Sequence, residues 1–163
     1  MWSPWRLAYI TGKASAGGCV FCAALASGEG DPLIVHRGRA CFVILNLFPY
    51  NNGHLMVIPN RHIASLRAAT TGERAELVEL ASVAEAALTE IYQPQGLNMG
   101  INLGSPAGAG ILDHVHLHVV PRWAGDTSFM SVVGQTRVLP EELPETAARL
   151  RPVFARIADS SPE

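Results

Sequence analysis

The stretch that decides the fold is DHVHLHVVPRW, residues 113–123, in which three histidines alternate with apolar residues. Successive side chains of a β-strand point to opposite faces of the sheet, so this alternation predicts a strand with His114, His116 and His118 on one face. The apolar residues between them would pack on the other face. Neighbouring histidines would then stand about 6.6 Å apart, since a strand rises about 3.3 Å per residue.

A row of three imidazoles is a costly way to fill a core, because each ring carries two polar nitrogens that need partners when buried. Neutral imidazole is abundant near pH 7 and suits nucleophilic attack on phosphorus. The glycine-rich loop just before the row, residues 104–110, would offer backbone amides to charged phosphate oxygens. Two alternatives remain at this point: a surface stripe without function, and a catalytic zinc site made by all three histidines.

The rest of the pattern predicts an α+β domain, with an antiparallel sheet of about five strands, one long helix and a C-terminal helix. Thr70 and Glu73 have the spacing of a capping box at the start of the long helix, and apolar residues then repeat at helical spacing. The predicted strands are residues 33–36, 41–45, 54–58, 98–103 and 115–120, and the predicted helices are residues 70–92 and about 141–158, the latter interrupted or restarted at Pro144.

The composition is that of one globular domain: 163 residues, 48% apolar and 16% charged, with a formal net charge of −2. That charge argues against a broad basic surface for nucleic acid, whereas a pocket for one nucleotide needs only local donors. No apolar run approaches the roughly 18 residues of a membrane span. The first residues also lack the charged start and apolar run of a signal peptide. We therefore expect a cytoplasmic protein without a nucleic-acid or membrane partner.

The segment HVHLHVV, residues 114–120, resembles the signature of the histidine-triad (HIT) family, in which three histidines alternate with apolar residues. The likeness covers roughly residues 19–125. Further segments that carry it are Asn46, Pro49, residues 53–59 (GHLMVIP), Asn98, Asn102 and Gly104. The opening WSPWR and the ending VPRW are similar to the bacterial branch that includes diadenosine tetraphosphate phosphorylases.

The resemblance implies hydrolysis or transfer at the α-phosphate of an adenine nucleotide or dinucleoside polyphosphate. His116 would attack the phosphorus and form a covalent nucleotidyl-histidine, assisted by His118 and His54. It also implies a homodimer whose two sheets join. The runner-up is a nucleotide-binding sensor or partner-binding module that keeps the pocket but turns over negligibly.

The family likeness also assigns residues that hold the nucleotide. Asn46 would meet the ribose hydroxyls, and Asn102 would contact the α-phosphate together with the loop that contains Gly108 and Gly110. The plainer interpretations are a turn residue for Asn46 and a strand-end cap for Asn102.

One position departs from the family. A serine, threonine or glutamine usually stands three or four residues before the first triad histidine, but Gly110 and Ile111 occupy those places here. Backbone amides or Ser105 would have to supply the missing polar contact. The departure leaves open whether water or phosphate accepts the nucleotidyl group.

Cys19 and Cys22 form a C-x-x-C pair, the spacing that structural zinc favours, with a redox pair as the alternative. The family likeness adds His62 and His114 as the other two ligands. Four protein ligands leave no position for water, so this zinc would be structural. His62 otherwise reads as a surface loop histidine.

Three units are predicted along the chain: an N-terminal arm, residues 1–18, a catalytic domain, residues 19–125, and a C-terminal extension, residues 126–163, that packs on the domain. Trp2 and Trp5 in the arm, together with Trp123, would either pack the arm or stack on a base. Phe129 and Met130 are candidates for shaping the leaving-group side of the pocket.

Overall fold

The computed structural model describes residues 18–126 and 141–160. Most of the predicted arm, with Trp2 and Trp5, and the expectations for Phe129 and Met130 lie outside the described residues. The elements in chain order are α1 (Val20–Ala26), β1 (Ile34–Arg37), β2 (Cys41–Leu45), β3 (Leu55–Pro59), α2 (Thr71–Tyr92), β4 (Gly96–Ile101), β5 (Leu117–Arg122) and α3 (Leu143–Ser160).

Five strands form one antiparallel sheet in the order β1-β2-β3-β5-β4. The prediction of an α+β domain on an antiparallel sheet is therefore confirmed. One row of paired residues crosses four strands: His118 pairs with Met56, Met56 with Ile44, and Ile44 with Ile34. Paired residues lie on the same face of a sheet, so this row connects the histidine strand to β1.

The two faces of the sheet carry different structures. One face packs against α2 and α3 in the larger core, which includes Val43, Val57 and Val119. The other face packs against α1, whose Phe21 lies among Phe42, Ile44, Met56 and Ile58 in a smaller core. Leu117 and Val119, which alternate with the histidines, point away from α1 as predicted, because both join the larger core. Val115 packs instead in a third cluster with Ile63 and Ala69.

The long helix begins where the capping box predicts. The Thr70 hydroxyl accepts from the Glu73 amide at 3.1 Å, and a Glu73 carboxylate oxygen accepts from the Thr70 amide at 2.6 Å. The same carboxylate accepts two hydrogen bonds at 2.8 Å from the guanidinium of Arg61. This pair ties the start of α2 to the loop after β3.

Strand β5 begins two residues later than predicted, at Leu117 rather than Val115. The reason lies at the end of β3, where the Pro59 carbonyl accepts a hydrogen bond from the His114 ring at 2.9 Å. The Val115 amide donates instead to Ile63 at 2.7 Å. The His114 side chain thus uses the carbonyl that strand pairing would need, so the pairing of β5 with β3 starts only at Leu117.

Other boundaries differ in smaller ways. Strand β4 starts at Gly96, two residues before the predicted start, because its pairing with β5 continues to Arg122. Helix α3 begins at Leu143, so Pro144 lies within its first turn and does not interrupt it. An amide in the first turn has no intrahelical partner, which is why proline is tolerated there. Within the described residues, no helix is long and apolar enough to cross a membrane.

Candidate active site and metal centre

A cavity of about 260 Å³ opens on the α1 face of the sheet. One part of its wall is polar and contains Asn46, Gly108, Gly110, His116 and His118. The rest of the wall is largely apolar and contains Phe21, Leu33, Ile44 and Phe48. A concave, mostly apolar wall with a few convergent polar groups is typical of a small-molecule site.

His116 is the nearly buried histidine of the cavity wall, with 4% of its surface exposed. Its Nδ1 atom donates a hydrogen bond to the His114 carbonyl oxygen at 2.9 Å. A neutral imidazole carries one proton, so this bond leaves the lone pair on Nε2. The Phe21 ring packs at 5.1 Å between centroids, and burial lowers the pKa of His116 below its usual value of 6.5. The ring is therefore held as a neutral base or nucleophile.

His54 lies beside His118 and fixes its proton. The Tyr50 amide donates to His54 Nδ1 at 3.0 Å, which leaves the His54 proton on Nε2. His54 Nε2 lies 2.9 Å from His118 Nδ1 and donates to it. Neutral His118 then carries its own proton on Nε2. The two cavity histidines, His116 and His118, lie 4.8 Å apart between ring centroids and hold opposite tautomers: one offers a lone pair and the other a proton.

The turn before β3 explains why His54 stands where it does. Gly53 has a φ of 74°, and a Cβ there would lie 3.0 Å from Leu88 Cδ2, so a larger residue would be both strained and crowded. The His54 side chain is fully buried, and the Tyr50 ring packs on it at 4.7 Å between centroids.

The two asparagines differ in their placement. Asn46 lines the cavity, and its Oδ1 accepts from the Phe48 amide at 3.0 Å while Nδ2 lies 3.4 Å from His54 Nδ1. Asn46 is thus a turn residue and a cavity residue at once. Asn102 is not among the cavity-lining residues, but its Nδ2 would lie 3.8 Å from a Cβ at Gly108. It therefore flanks the glycine-rich loop.

A second cluster brings together the four residues that the family likeness assigned to a metal. The ligand atoms of Cys19, Cys22, His62 and His114 all lie within 4.8 Å of one another. His114 Nδ1 lies 3.3 Å from Cys19 Sγ and 3.7 Å from Cys22 Sγ, and His62 Nδ1 lies 3.4 Å from Cys22 Sγ. Tetrahedral zinc with sulfur at about 2.3 Å and nitrogen at about 2.05 Å separates such atoms by about 3.6 Å. The donor set and its spacing fit that ion.

The orientation of the His114 ring favours a cation in this cluster. Burial, and then the neighbouring Cys19, raise the pKa of Cys22 above 9.0. Burial lowers the pKa of His114, although its bond to the Pro59 carbonyl acts in the opposite direction. That bond uses Nε2 as the donor, so the lone pair of His114 sits on Nδ1 and faces the two sulfur atoms.

The alternative of one metal held by all three triad histidines is wrong for this structure. His114 belongs to the cysteine cluster, whereas Nδ1 of His116 and Nδ1 of His118 are engaged by the His114 carbonyl and by His54. Within the described part of the chain, the only residues grouped closely enough for a metal are the four of the cysteine cluster.

Sequence reasoning did not identify three residues of this region: Phe21, Tyr50 and Asp31. Phe21 contacts the rings of both His114 and His116, and it lies inside the C-x-x-C motif, where only the cysteines stand out. Tyr50 acts on His54 through its backbone amide, which no residue pattern signals. Asp31 reaches the cavity from a link between elements whose course is visible only in the fold.

Comparison with known proteins identifies the family. The HIT domain model matches residues 27–125, more than half of the chain. The chain belongs to the HIT family. An AP-4-A phosphorylase of Mycobacterium tuberculosis is 35% identical to this HIT protein over 96% of the chain and 84% of the relative. An Arabidopsis thaliana adenylylsulfatase is 27% identical over 69% of the chain and 56% of the relative.

Among solved structures, a zinc-bound histidine triad protein from Mycobacterium smegmatis is similar to this HIT protein with a TM-score of 0.70. The two sequences are 30% identical, and the match covers 88% of this chain and 98% of the other. A histidine triad nucleotide-binding protein from Sulfolobus tokodaii matches with a TM-score of 0.65 and 25% identity, over 86% of this chain and 92% of the other.

Proposed function

We propose that this HIT protein transfers the nucleotidyl group of a dinucleoside polyphosphate or related adenine nucleotide to water or phosphate, through a covalent intermediate on His116. The observation that carries the proposal is the bond from His116 Nδ1 to the His114 carbonyl, which leaves the Nε2 lone pair on a cavity-lining ring. The AP-4-A phosphorylase relative and the adenylylsulfatase relative support a nucleotide substrate.

The reaction divides into two displacements. In the first, the Nε2 lone pair of His116 forms a bond to the α-phosphorus, and the bond from that phosphorus to the bridging oxygen breaks. The leaving group, which is ATP when the substrate is diadenosine tetraphosphate, takes the electron pair. In the second, an oxygen of water or inorganic phosphate attacks the same phosphorus, and the phosphorus–nitrogen bond breaks with its electrons returning to Nε2. The proton that an attacking water loses passes to the solvent. The products are AMP from water and ADP from phosphate when the substrate carries adenosine.

The remaining cavity groups would stabilise the charge that develops on phosphorus. His118 carries its proton on Nε2 because His54 donates to its other nitrogen, so it would donate to a phosphate oxygen. Gly110 lines the same wall and would add its backbone amide, whereas the Gly108 amide already donates to the Ser105 carbonyl at 2.9 Å. Ile111 lines the cavity where the family usually has a polar side chain. The His118 and backbone donors would therefore make the phosphate contact that the polar side chain makes in other members of the family.

Zinc is the metal that we propose for the cluster of Cys19, Cys22, His62 and His114. It would neutralise the two thiolates and join the start of α1 to the segment that enters β5. Because all four ligands come from the protein, no reaction step passes through it. The zinc-bound M. smegmatis relative supports this assignment.

We also propose a homodimer joined through β4, one of the two edge strands of the described sheet. Its Gly96–Ile101 segment is largely exposed, and Met99 has 43% of its surface exposed. An exposed edge with an apolar side chain favours pairing with another strand. A second copy would extend the sheet.

The test of the enzymatic proposal is incubation of the purified protein with diadenosine tetraphosphate, with and without inorganic phosphate. We expect release of AMP in water, or of ADP with ATP when phosphate is present. His116→Ala should lose several orders of magnitude in rate, each tenfold loss corresponding to about 1.4 kcal/mol, while still binding AMP. Wild-type enzyme denatured in alkali during turnover should carry a nucleotidyl group that His116→Ala lacks, because a phosphorus–nitrogen bond is stable to base and labile to acid.

Nucleotide binding without turnover in the wild type would overturn the enzymatic proposal in favour of the sensor. Turnover that persists in His116→Ala would overturn the assignment of the nucleophile.

A further inference from the structure

Asp31 lies at the end of the cavity opposite the histidines. The paired row His118, Met56, Ile44 and Ile34 crosses three strand-to-strand steps, which amount to about 14 Å at about 4.8 Å per step. Asp31 stands three residues before Ile34, in the link between α1 and β1, and it lines the same cavity. A nucleotide with its α-phosphate at His116 would point its base toward this end.

Asp31 also differs chemically from its surroundings. It is the one charged carboxylate among the described residues that line the cavity. The other lining residues between α1 and the start of β1 include the apolar Val20, Ala24 and Leu33. Its Oδ1 accepts from the Leu33 amide at 2.8 Å. No other hydrogen bond of this carboxylate is found within residues 18–126 and 141–160, so Oδ2 is available to a ligand there.

A half-engaged carboxylate in an apolar pocket selects for a hydrogen-bond donor on the ligand. The Leu33 amide holds the side chain in one orientation, so the second oxygen is presented without further loss of rotamer freedom. A base that brings no donor would leave this carboxylate desolvated and unpaired, which is costly. A buried acceptor therefore discriminates strongly against a ligand that lacks the matching donor. An apolar pocket discriminates much more weakly between ligands that differ only in size.

We infer that Asp31 is a specificity-determining residue that accepts a hydrogen bond from the exocyclic amino group of the base, and so favours adenine in this cavity. The inference rests on the proposed function for the position of the nucleotide. The Asp31 carboxylate would add a polar contact for the base at an end of the cavity that otherwise offers apolar packing.

Binding of AMP and of purine riboside 5′-monophosphate, which differs from AMP only by lacking the amino group, tests this inference. We expect the wild type to bind AMP about tenfold more tightly. Asp31→Asn keeps an oxygen for the Leu33 amide but presents an NH₂ group to the cavity, so the preference for AMP should disappear. Glu85→Gln removes one charge from the exposed side of α2, beyond the other face of the sheet, and should keep the wild-type ratio.

Equal binding of the two nucleotides by the wild type, or an unchanged ratio in Asp31→Asn, would overturn the inference. Failure of either nucleotide to bind would overturn it as well. A thermal melt of Asp31→Asn serves as the control for folding, and the Tm of the variant should stay close to that of the wild type. Cleavage of diadenosine tetraphosphate is measured in parallel, because its absence counts against the proposed function while the binding ratio still decides the role of Asp31.

Discussion

The Nε2 atom of His54 donates a hydrogen bond to Nδ1 of His118 over 2.9 Å. Since the Tyr50 amide occupies the other nitrogen of His54, the direction of this bond is fixed. His118 therefore keeps its proton on Nε2.

Replacing His54 should disturb this proton more than the binding of the nucleoside, although the Asn46 amide also contacts the His54 ring. In His54→Phe, His118 loses the donor to Nδ1 and can adopt the other tautomer, so we expect kcat to fall by about 100-fold or more. His54→Gln retains an N–H donor and should recover part of that loss. Steady-state kinetics and AMP binding check both variants. A parallel loss of AMP affinity and kcat would indicate a general disruption of the cavity.

Removing a metal ligand should lower zinc content and stability together. Cys22→Ser takes one thiolate from the cluster, so we expect less than one zinc per chain and a lower Tm, because structural zinc contributes to folding. Metal analysis by mass spectrometry and thermal melting measure the two effects.

Cys41→Ala is the matched control for the metal cluster, because Cys41 is fully buried in the core away from the other cysteines. It should cost stability without loss of zinc. If chelation abolished activity reversibly without lowering Tm, the zinc would be catalytic and not structural.

Asn46 joins a turn, the His54 ring and the cavity, and two substitutions separate these roles. Asn46→Ala removes every side-chain hydrogen bond, and we expect AMP binding to weaken by about 1–3 kcal/mol. Asn46→Asp keeps the acceptor for the Phe48 amide but removes the N–H donor. Calorimetric titration measures both. If Asn46 were only a turn residue, Asn46→Asp would bind AMP like the wild type and Asn46→Ala would differ only in Tm.

Glu73 gives the protein a defined acid sensitivity. The hydrogen bond from Arg61 lowers the pKa of Glu73 from 4.5 to about 2. A carboxylate whose pKa is lower in the folded state stabilises the fold above its unfolded pKa and loses that effect as pH falls through its folded pKa. We expect the free energy of unfolding of Glu73→Gln to lie below that of the wild type at pH 7.

The difference between Glu73→Gln and the wild type should shrink between about pH 4.5 and pH 2. Glutamine can still close the capping box, so the comparison isolates the charge. Urea titrations across this range measure it, and a difference that does not change with pH would exclude the ionic contribution.

The proposed dimer predicts that a charge on the edge strand separates the subunits. Met99→Glu would place like charges opposite or near each other in a joined sheet, which is destabilising. We expect sedimentation to change from dimer to monomer while the isolated fold melts cooperatively. Val78→Glu, at an exposed residue of α2, serves as the control and should remain dimeric. A wild-type monomer at micromolar concentration would refute the proposal.

Local pattern was sufficient for some features of this fold. The alternation around His116 predicts which residues share a face, and Thr70 with Glu73 predicts the helix start, because both signals depend only on neighbouring residues. Helix α1 was missed because it has only seven residues and a single buried side chain, Phe21. Its position depends on contacts with rings almost a hundred residues later in the chain.

Long-range contacts explain the remaining differences. The late start of β5 follows from the His114 ring taking the Pro59 carbonyl, a competition between side chain and backbone that spacing does not show. The four metal ligands came from family likeness, since spacing alone suggested only the cysteine pair. No sequence pattern marks Asp31 as a cavity residue, because its position beside the cavity depends on the order of four strands in the sheet.

His114 participates in both centres with different atoms. Its ring faces the sulfur atoms of Cys19 and Cys22, and its peptide oxygen holds the proton of His116. Every amino acid has that oxygen, so a substitution of His114 deletes the ring while sparing the acceptor itself. A catalytic defect in such a variant would show how strongly the anchoring of the His114 ring determines the orientation of the His116 ring. The metal centre and the nucleophile are only two peptide bonds apart, so a disturbance of the first would reach the second through the backbone.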